Sequence, residues 1–251
     1  VVLLFLFRFF FILLILVVIV PSTVWSGIRM MWAAFRRNPE LSCICDECPR
    51  RWSRLLLRCA GVEVKFENPE IVDPGRPQIL VANHSSWFDV LALTAYLPGR
   101  YLFVAKKELE KVPIFGTAVR VCGHIFIDRH DRNRAVESLA TAQKRLEAEN
   151  PTVIMFPEGT RSPTGVLQPF KKGAFVLAIQ TGVEVVPAFI EGARDVMRKG
   201  SLLIHPGTIT VRFGEPIAVE GLALEDRNEL TVRAQVAVAG LQAENASSQE
   251  T

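Results

Sequence analysis

"QILVANHSSWFDVLALTAYL", residues 78–97, is the stretch that decides the fold. Residues 78–82 form a short apolar run that ends in small polar side chains, as a buried strand does. Ser86 then stands three residues before Asp89, close to a capping box, and predicts a helix over 86–97. A strand that feeds a helix through a short loop is the start of an α/β unit. On this reading Asp89 has a structural task and His84 is a loop residue. A second reading is chemical. Residues five apart on a helix differ by about 140° around its axis, so His84 and Asp89 meet only if His84 lies in the loop before the helix. That loop follows the carboxyl end of a strand, where open α/β sheets gather ligands. A carboxylate on one imidazole nitrogen fixes the tautomer and leaves the other nitrogen able to take a proton from an alcohol.

Outward from this stretch, apolar runs at 62–66, 101–105, 124–127, 152–156, 184–190 and 208–213 read as further strands. Helical patterns fall at 114–121, 131–148, 170–180 and 225–241. The alternation predicts an α/β domain over 61–243, a mixed sheet flanked by helices, with a polar, frayed tail at 244–251. Pro187 inside its strand argues for an edge strand or a bulge near a site.

Upstream, "VVLLFLFRFFFILLILVVIV" at 1–20 is apolar except for Arg8, and a helix of that length is about 30 Å long, the depth of a hydrocarbon core. A cleaved signal peptide is the alternative, and "PSTVWSG" is a poor cleavage site. Beyond Pro21, Trp25, Ile28, Trp32 and Phe35 recur at helical spacing among Arg29, Arg36 and Arg37, the pattern of an interfacial helix; an amphipathic core helix has the same period. Residues 1–37 therefore read as a membrane-anchoring helix pair and 38–60 as a cysteine-containing connecting helix. The arginines place the following domain on the cytoplasmic side if the first helix spans.

The chain has 251 residues, 49% of them apolar, and a net charge of +3, which suits an anionic membrane surface or a phosphorylated substrate and supplies no basic stripe for nucleic acid. Its 5 cysteines include Cys43, Cys45 and Cys48 in "CICDEC", which lacks the second hook of a zinc site. With Cys59 they read as free thiols, and Cys122 as a buried one, with no sign of an oxidising compartment.

A second polar segment, "FPEGTRSPTG" at 156–165, follows a strand and precedes Lys171 and Lys172. It offers Glu158, three hydroxyls and Arg161, which can grip a phosphate bidentately, while Gly159 and Gly165 permit close backbone approach. A turn with solvated charges is the plain alternative. Arg129 ends the strand of "GHIFIDR" at 123–129, near the expected ligand edge.

The order of these segments carries more than any one of them. "NHSSWFD", "KKELEKVPIFG" with "GHIFIDR", "FPEGTRS" and "VVPAFIEG" together resemble the glycerolipid acyltransferase superfamily, and within it the 1-acylglycerol-3-phosphate (lysophosphatidic acid) acyltransferase family. The resemblance covers 79–192. It implies that His84 is the general base for the acceptor's sn-2 hydroxyl, with Asp89 orienting and charging it, and that the alkoxide attacks an acyl thioester with no acyl-enzyme. It assigns Arg129, Glu158, Gly159, Thr160 and Arg161 to the glycerol phosphate, with Lys106, Lys107 and Lys171 as further phosphate contacts. It implies no metal or cofactor, with acyl-coenzyme A or acyl carrier protein as co-substrate, and a bilayer as partner. Acceptors such as glycerol 3-phosphate or another lysophospholipid remain open, as does a non-catalytic membrane lipid-binding protein. A hydrolase would need a GxSxG elbow, which the sequence lacks.

Overall fold

A computed structural model describes residues 15–128 and 131–248. A π-helical turn, Ile15–Ile19, runs without a break into α1 (Val20–Phe35), and α2 (Leu41–Cys59) returns alongside it. Pro21 sits in the first turn of α1, where no backbone N–H is needed, so it does not separate two helices as the sequence suggested. Within the described residues the helix pair is α1 with α2. Trp25, Ile28, Trp32 and Phe35 form an exposed stripe on α1, while Gly27, Met30 and Ala33 face inward. The stretch Val17–Phe35 is long and apolar enough to cross a membrane.

The strands are β1 (Val62–Glu67), β2 (Gln78–Ala82), β3 (Tyr101–Lys106), β4 (Ile125–Ile127), β5 (Thr152–Met155), β6 (Val185–Glu191) and β7 (Gly207–Phe213). They form one sheet in the order β1-β7-β6-β2-β5-β3-β4. β2, β3, β4, β5 and β6 are mutually parallel; β7 is antiparallel to β6, and β1 is parallel to β7. The amino ends of β1 and β7 therefore share an edge with the carboxyl ends of the other five.

Between the strands lie α3 (Trp87–Tyr96), α4 (Phe115–Val121), α5 (Arg132–Glu149), α6 (Gly173–Thr181), α7 (Ala193–Val196) and, after β7, α8 (Arg227–Ser248). Strand residues alternate between two cores, as the pleat requires. Leu80, Ala82, Ile154, Val186 and Ala188 pack with α2, α3 and α7, whereas Ile79, Val81, Val153, Met155 and Val185 pack with α5, α6 and α8. Both faces are covered, which is why these strands read as continuous apolar runs. α2 is pinned to the end of α3 by Arg50, which donates to the Leu97 and Gly99 carbonyls, and by Arg54, which donates to Ala95 O at 3.0 Å.

Of the two readings of Pro187, the bulge holds and the edge strand does not: β6 is an interior strand, and Val186 and Pro187 face Gly214, Glu215 and Pro216 between the pairs Ala188↔Phe213 and Val185↔Ile217. Two expectations are corrected. The expected frayed tail instead continues α8 to Ser248, because "ENASS" has no helix stop. Finally, Cys45 and Cys122 are joined in a disulfide between α2 and the end of α4, so they are neither free nor simply buried thiols. Cys43, Cys48 and Cys59 are free. The bond lies at the edge opposite the carboxyl ends of the parallel strands, since Cys122 precedes β4.

Candidate active site

The loop after β2 carries the first cluster. Ser86 has extended backbone angles and caps α3, its Oγ accepting the Phe88 N–H at 3.2 Å. Asp89, in the first turn of α3, is 0% exposed. Its Oδ2 accepts the Ser85 and Ser86 N–H groups at 2.7 and 2.8 Å and lies 2.8 Å from His84 Nδ1. The capping box and the histidine–carboxylate pair are thus one device. The cap brings Asp89 back over the loop, and the loop hands it His84. With Nδ1 engaged, Nε2 is the nitrogen able to accept a proton. The His84 ring stacks on Phe156, with centroids 4.2 Å apart and planes 17° from parallel.

The segment after β5 lies against this loop. Glu158, 4% exposed, accepts the His84 N–H on Oε1 at 2.8 Å, and its Oε2 accepts the Gln168 side-chain amide at 2.9 Å. Burial raises the Glu158 pKa above the ordinary carboxylate value, against the pull of these donors. The Ser162 N–H completes the clamp by donating to His84 O at 2.7 Å. Both backbone groups of His84 are therefore held by the second segment, which fixes where the ring can point.

Arg161 stacks over Trp87, its guanidinium carbon 4.9 Å from the ring centroid. Burial lowers the Arg161 pKa and the Asp89 carboxylate acts in the opposite sense. Gly159 has φ +76°, and a β-carbon there would lie 2.9 Å from Lys171 Nζ, so glycine leaves the room that Lys171 occupies. Thr160 is exposed at the rim. Lys106 ends β3 and Lys107 follows it at the same edge, in ion pairs with Glu108 at 3.0 Å and Glu110 at 2.8 Å respectively. Arg129 lies outside the described residues.

These loops are brought together by β2, β5 and β6, neighbours in the middle of the sheet, where the chain crosses from one side of β2 to the other. Asn83 secures the arrangement. Its side chain donates to Ile190 O at 2.8 Å and accepts the Ile190 N–H at 2.7 Å, extending the β2–β6 ladder beyond the strand. Among the described residues no cluster of His, Cys, Asp and Glu has the makings of a metal site.

A protein-family model described as "Acyltransferase" matches residues 63–191, more than half of the chain. The chain belongs to the acyltransferase family. The family match runs from Glu63 in β1 to the end of β6 and contains every described residue that the sequence assigned to the site. The 1-acyl-sn-glycerol-3-phosphate acyltransferase of Cocos nucifera is 35% identical over 167 residues, 66% of this chain and 54% of that protein. The alpha form from Homo sapiens is 35% identical over 166 residues, 66% of this chain and 59% of the relative. This chain matches between 54% and 63% of the length of such acyltransferases. The crystal structure of a 1-acyl-sn-glycerophosphate (LPA) acyltransferase, PlsC, from Thermotoga maritima superposes with a TM-score of 0.78 at 27% identity, covering 96% of both chains.

Sequence reasoning missed four residues that build the site. Trp87 lay in view within the first motif, beside the capping serine. Phe156 was read only as the end of a strand. Gln168 follows Glu158 by ten positions with no regular spacing to mark it. Lys199, whose Nζ donates to Arg161 O at 2.8 Å and to Thr160 Oγ1 at 3.3 Å, comes from the loop after α7 and has no local signal.

Proposed function

We propose that this chain transfers a fatty acyl group from an acyl thioester to the sn-2 hydroxyl of lysophosphatidic acid, giving phosphatidic acid. The observation that carries the reading is the His84 Nδ1 to Asp89 Oδ2 pair at 2.8 Å, which leaves Nε2 open at the edge where Arg161 and Lys171 stand. His84 takes the hydroxyl proton through Nε2 as the oxygen attacks the thioester carbonyl. The tetrahedral intermediate expels the thiolate, which receives that proton from the imidazolium. Asp89 stabilises the imidazolium between the two steps. The hydroxyls of Ser85 and Ser86 are not nucleophiles on this scheme, and the Ser86 hydroxyl is already donated to Met197 O at 2.8 Å.

Arg161 and Lys171 supply charge for the acceptor's phosphate, with Gly159 and Thr160 forming the surface it meets. The names of the relatives support lysophosphatidic acid over other acceptors. Coenzyme A and acyl carrier protein both present the thioester this chemistry needs. The apolar run before α1 and the exposed Trp25, Ile28, Trp32 and Phe35 stripe attach the enzyme to the bilayer, with the catalytic domain on the cytoplasmic face.

The test is an acceptor panel with one labelled acyl donor and purified enzyme. Lysophosphatidic acid is expected to outpace glycerol 3-phosphate, lysophosphatidylcholine and lysophosphatidylethanolamine. Equal rates on all of them would overturn the acceptor assignment, and full activity of His84→Ala would overturn the mechanism.

A further inference from the structure

We propose that the loop between α7 and β7, with Leu202 and Leu203 at its tip, is a second membrane contact that dips into the bilayer beside the active site. The inference rests on the reading of the site as one for a membrane lipid. Leu202 is 80% exposed and Leu203 is exposed too, although both are large aliphatic side chains that water disfavours. Arg198 and Lys199 are exposed just before them, and a tip of leucines flanked by cations is the composition of an interfacial anchor for an anionic lipid surface.

The topology puts this loop on the membrane side of the domain. It leads into β7, whose amino end shares the site edge with the carboxyl ends of β2, β5 and β6. The direction of α1 locates the bilayer relative to that edge. Met30 meets Cys122 at the far end of α4, and Gly27 meets Ile114 just before the start of α4, so α1 descends from the site edge towards the opposite one. Pairing of Thr23 with Trp52 and packing of Met30 with Cys45 and Cys48 show α2 running the other way. The beginning of α1 is therefore level with the end of α2 and the start of β1, at the site edge. The sequence that leads into this end of α1 is apolar. Ile19, Met197 and Ile204 pack into the same core, on the same face of the sheet.

The loop is also wired to both catalytic segments. Met197 O accepts the Ser86 hydroxyl, and Lys199 Nζ reaches Arg161 O and Thr160 Oγ1. A lipid surface that seats Leu202 and Leu203 would hold the loop whose base steadies the cap of α3 and the phosphate-facing backbone. Acceptor capture and membrane contact are then a single event.

The experiment places an environment-sensitive fluorescent amino acid at position 202 of the full chain, and separately at Lys144, an exposed site on the lower part of α5. Each protein is reconstituted in phosphatidylcholine vesicles containing phosphatidylglycerol, with and without a lipid carrying a nitroxide near the top of its acyl chain. Quenching is expected at 202 and absent at 144. Equal quenching at the two positions overturns the proposal. So does no quenching at 202, with or without an emission change on adding an acidic acyl carrier protein. The double change Leu202→Ser, Leu203→Ser is expected to lower the rate on vesicle-borne lysophosphatidic acid about tenfold or more while leaving a short-chain, monomeric acceptor within about twofold. Equal loss on both acceptors argues against the loop as a membrane contact. The quenching does not depend on turnover, so a wrong acceptor assignment would leave that result intact.

Discussion

The carboxylate of Glu158 accepts the backbone N–H of His84 at 2.8 Å, which binds the second turn of the site to the first through a buried side chain. Its other oxygen serves Gln168, so Glu158 acts on the chemistry by fixing the base. Glu158→Ala leaves the His84 N–H and the Gln168 amide without their acceptor, an expected loss of about 2–4 kcal/mol in unfolding free energy. Glu158→Gln keeps an oxygen for His84, and Gln168 can turn its amide, so its loss is smaller. Denaturant unfolding in detergent ranks the two; an equal cost would remove this account of Glu158. Burial raises its folded pKa above the ordinary 4.5, so the folded state keeps the proton better than the unfolded chain does. The contribution of this group to stability therefore falls as pH rises from 4.5 through the folded value, and Glu158→Gln should flatten that slope.

Asp89→Asn tests whether the charge of Asp89 matters beyond the cap. Oδ2 alone takes the Ser85 and Ser86 N–H groups and His84 Nδ1, so an asparagine oxygen in that place keeps all three contacts, and what is lost is the negative charge that stabilises the imidazolium. A drop of about 10³–10⁴ in kcat is expected, with the thermal midpoint moved little. A rate within tenfold of the parent would sink the base assignment.

Trp87 gives a separable prediction. Its ring lies against the Arg161 guanidinium. Trp87→Leu should loosen Arg161 by about 0.5–1 kcal/mol, raising KM for the acceptor roughly two- to fivefold at nearly constant kcat. Restoration by Trp87→Tyr would distinguish the stacked face from simple bulk. If kcat falls instead while KM holds, Trp87 is serving the α3 cap and not Arg161.

Much of this arrangement was legible because it is local. The capping box sits within four residues, and strands covered on both faces announce themselves as apolar runs. Pro187 announced a ladder defect but left edge strand and bulge both open, because the compensation lies in the facing chain at 214–216. Lys199 and Trp87 were invisible as site residues for a related reason. Each acquires its role from Arg161, and only the crossing of β5 and β6 around β2 brings those partners together. Of the residues the resemblance assigned, Glu158 was placed among the substrate contacts, yet both its oxygens are occupied by the protein.

The Cys45–Cys122 bond was illegible because its partners are 77 residues apart and meet only through the packing of α1 against α2 and α4. Thiol titration of the denatured, unreduced protein should find three reactive cysteines, Cys43, Cys48 and Cys59, and all five after reduction. Cys45→Ser with Cys122→Ser is expected to cost about 2–4 kcal/mol by releasing a long loop in the unfolded chain. Because the bond lies at the edge opposite His84, kcat should stay near the parent value. Five reactive thiols before reduction would remove the bond.

His124 supplies the acid side of the stability profile. Its Nδ1 accepts the Phe103 N–H at 3.0 Å and its ring packs against Tyr101 and Phe103, so desolvation pulls its pKa from 6.5 down to about 4. The unfolded chain takes up a proton at higher pH than the folded one does. The stabilisation from the neutral ring is therefore complete above 6.5 and is lost as pH falls towards 4. Between pH 7 and pH 5 this group alone should remove about 2 kcal/mol of unfolding free energy. His124→Gln keeps an oxygen for the Phe103 N–H and cannot titrate, so its unfolding free energy should change that much less over the same interval. Denaturant unfolding at the two pH values measures the difference. An unchanged slope in the variant would mean that His124 takes up its proton at the same pH in the fold as in the unfolded chain, and would remove this account of the ring.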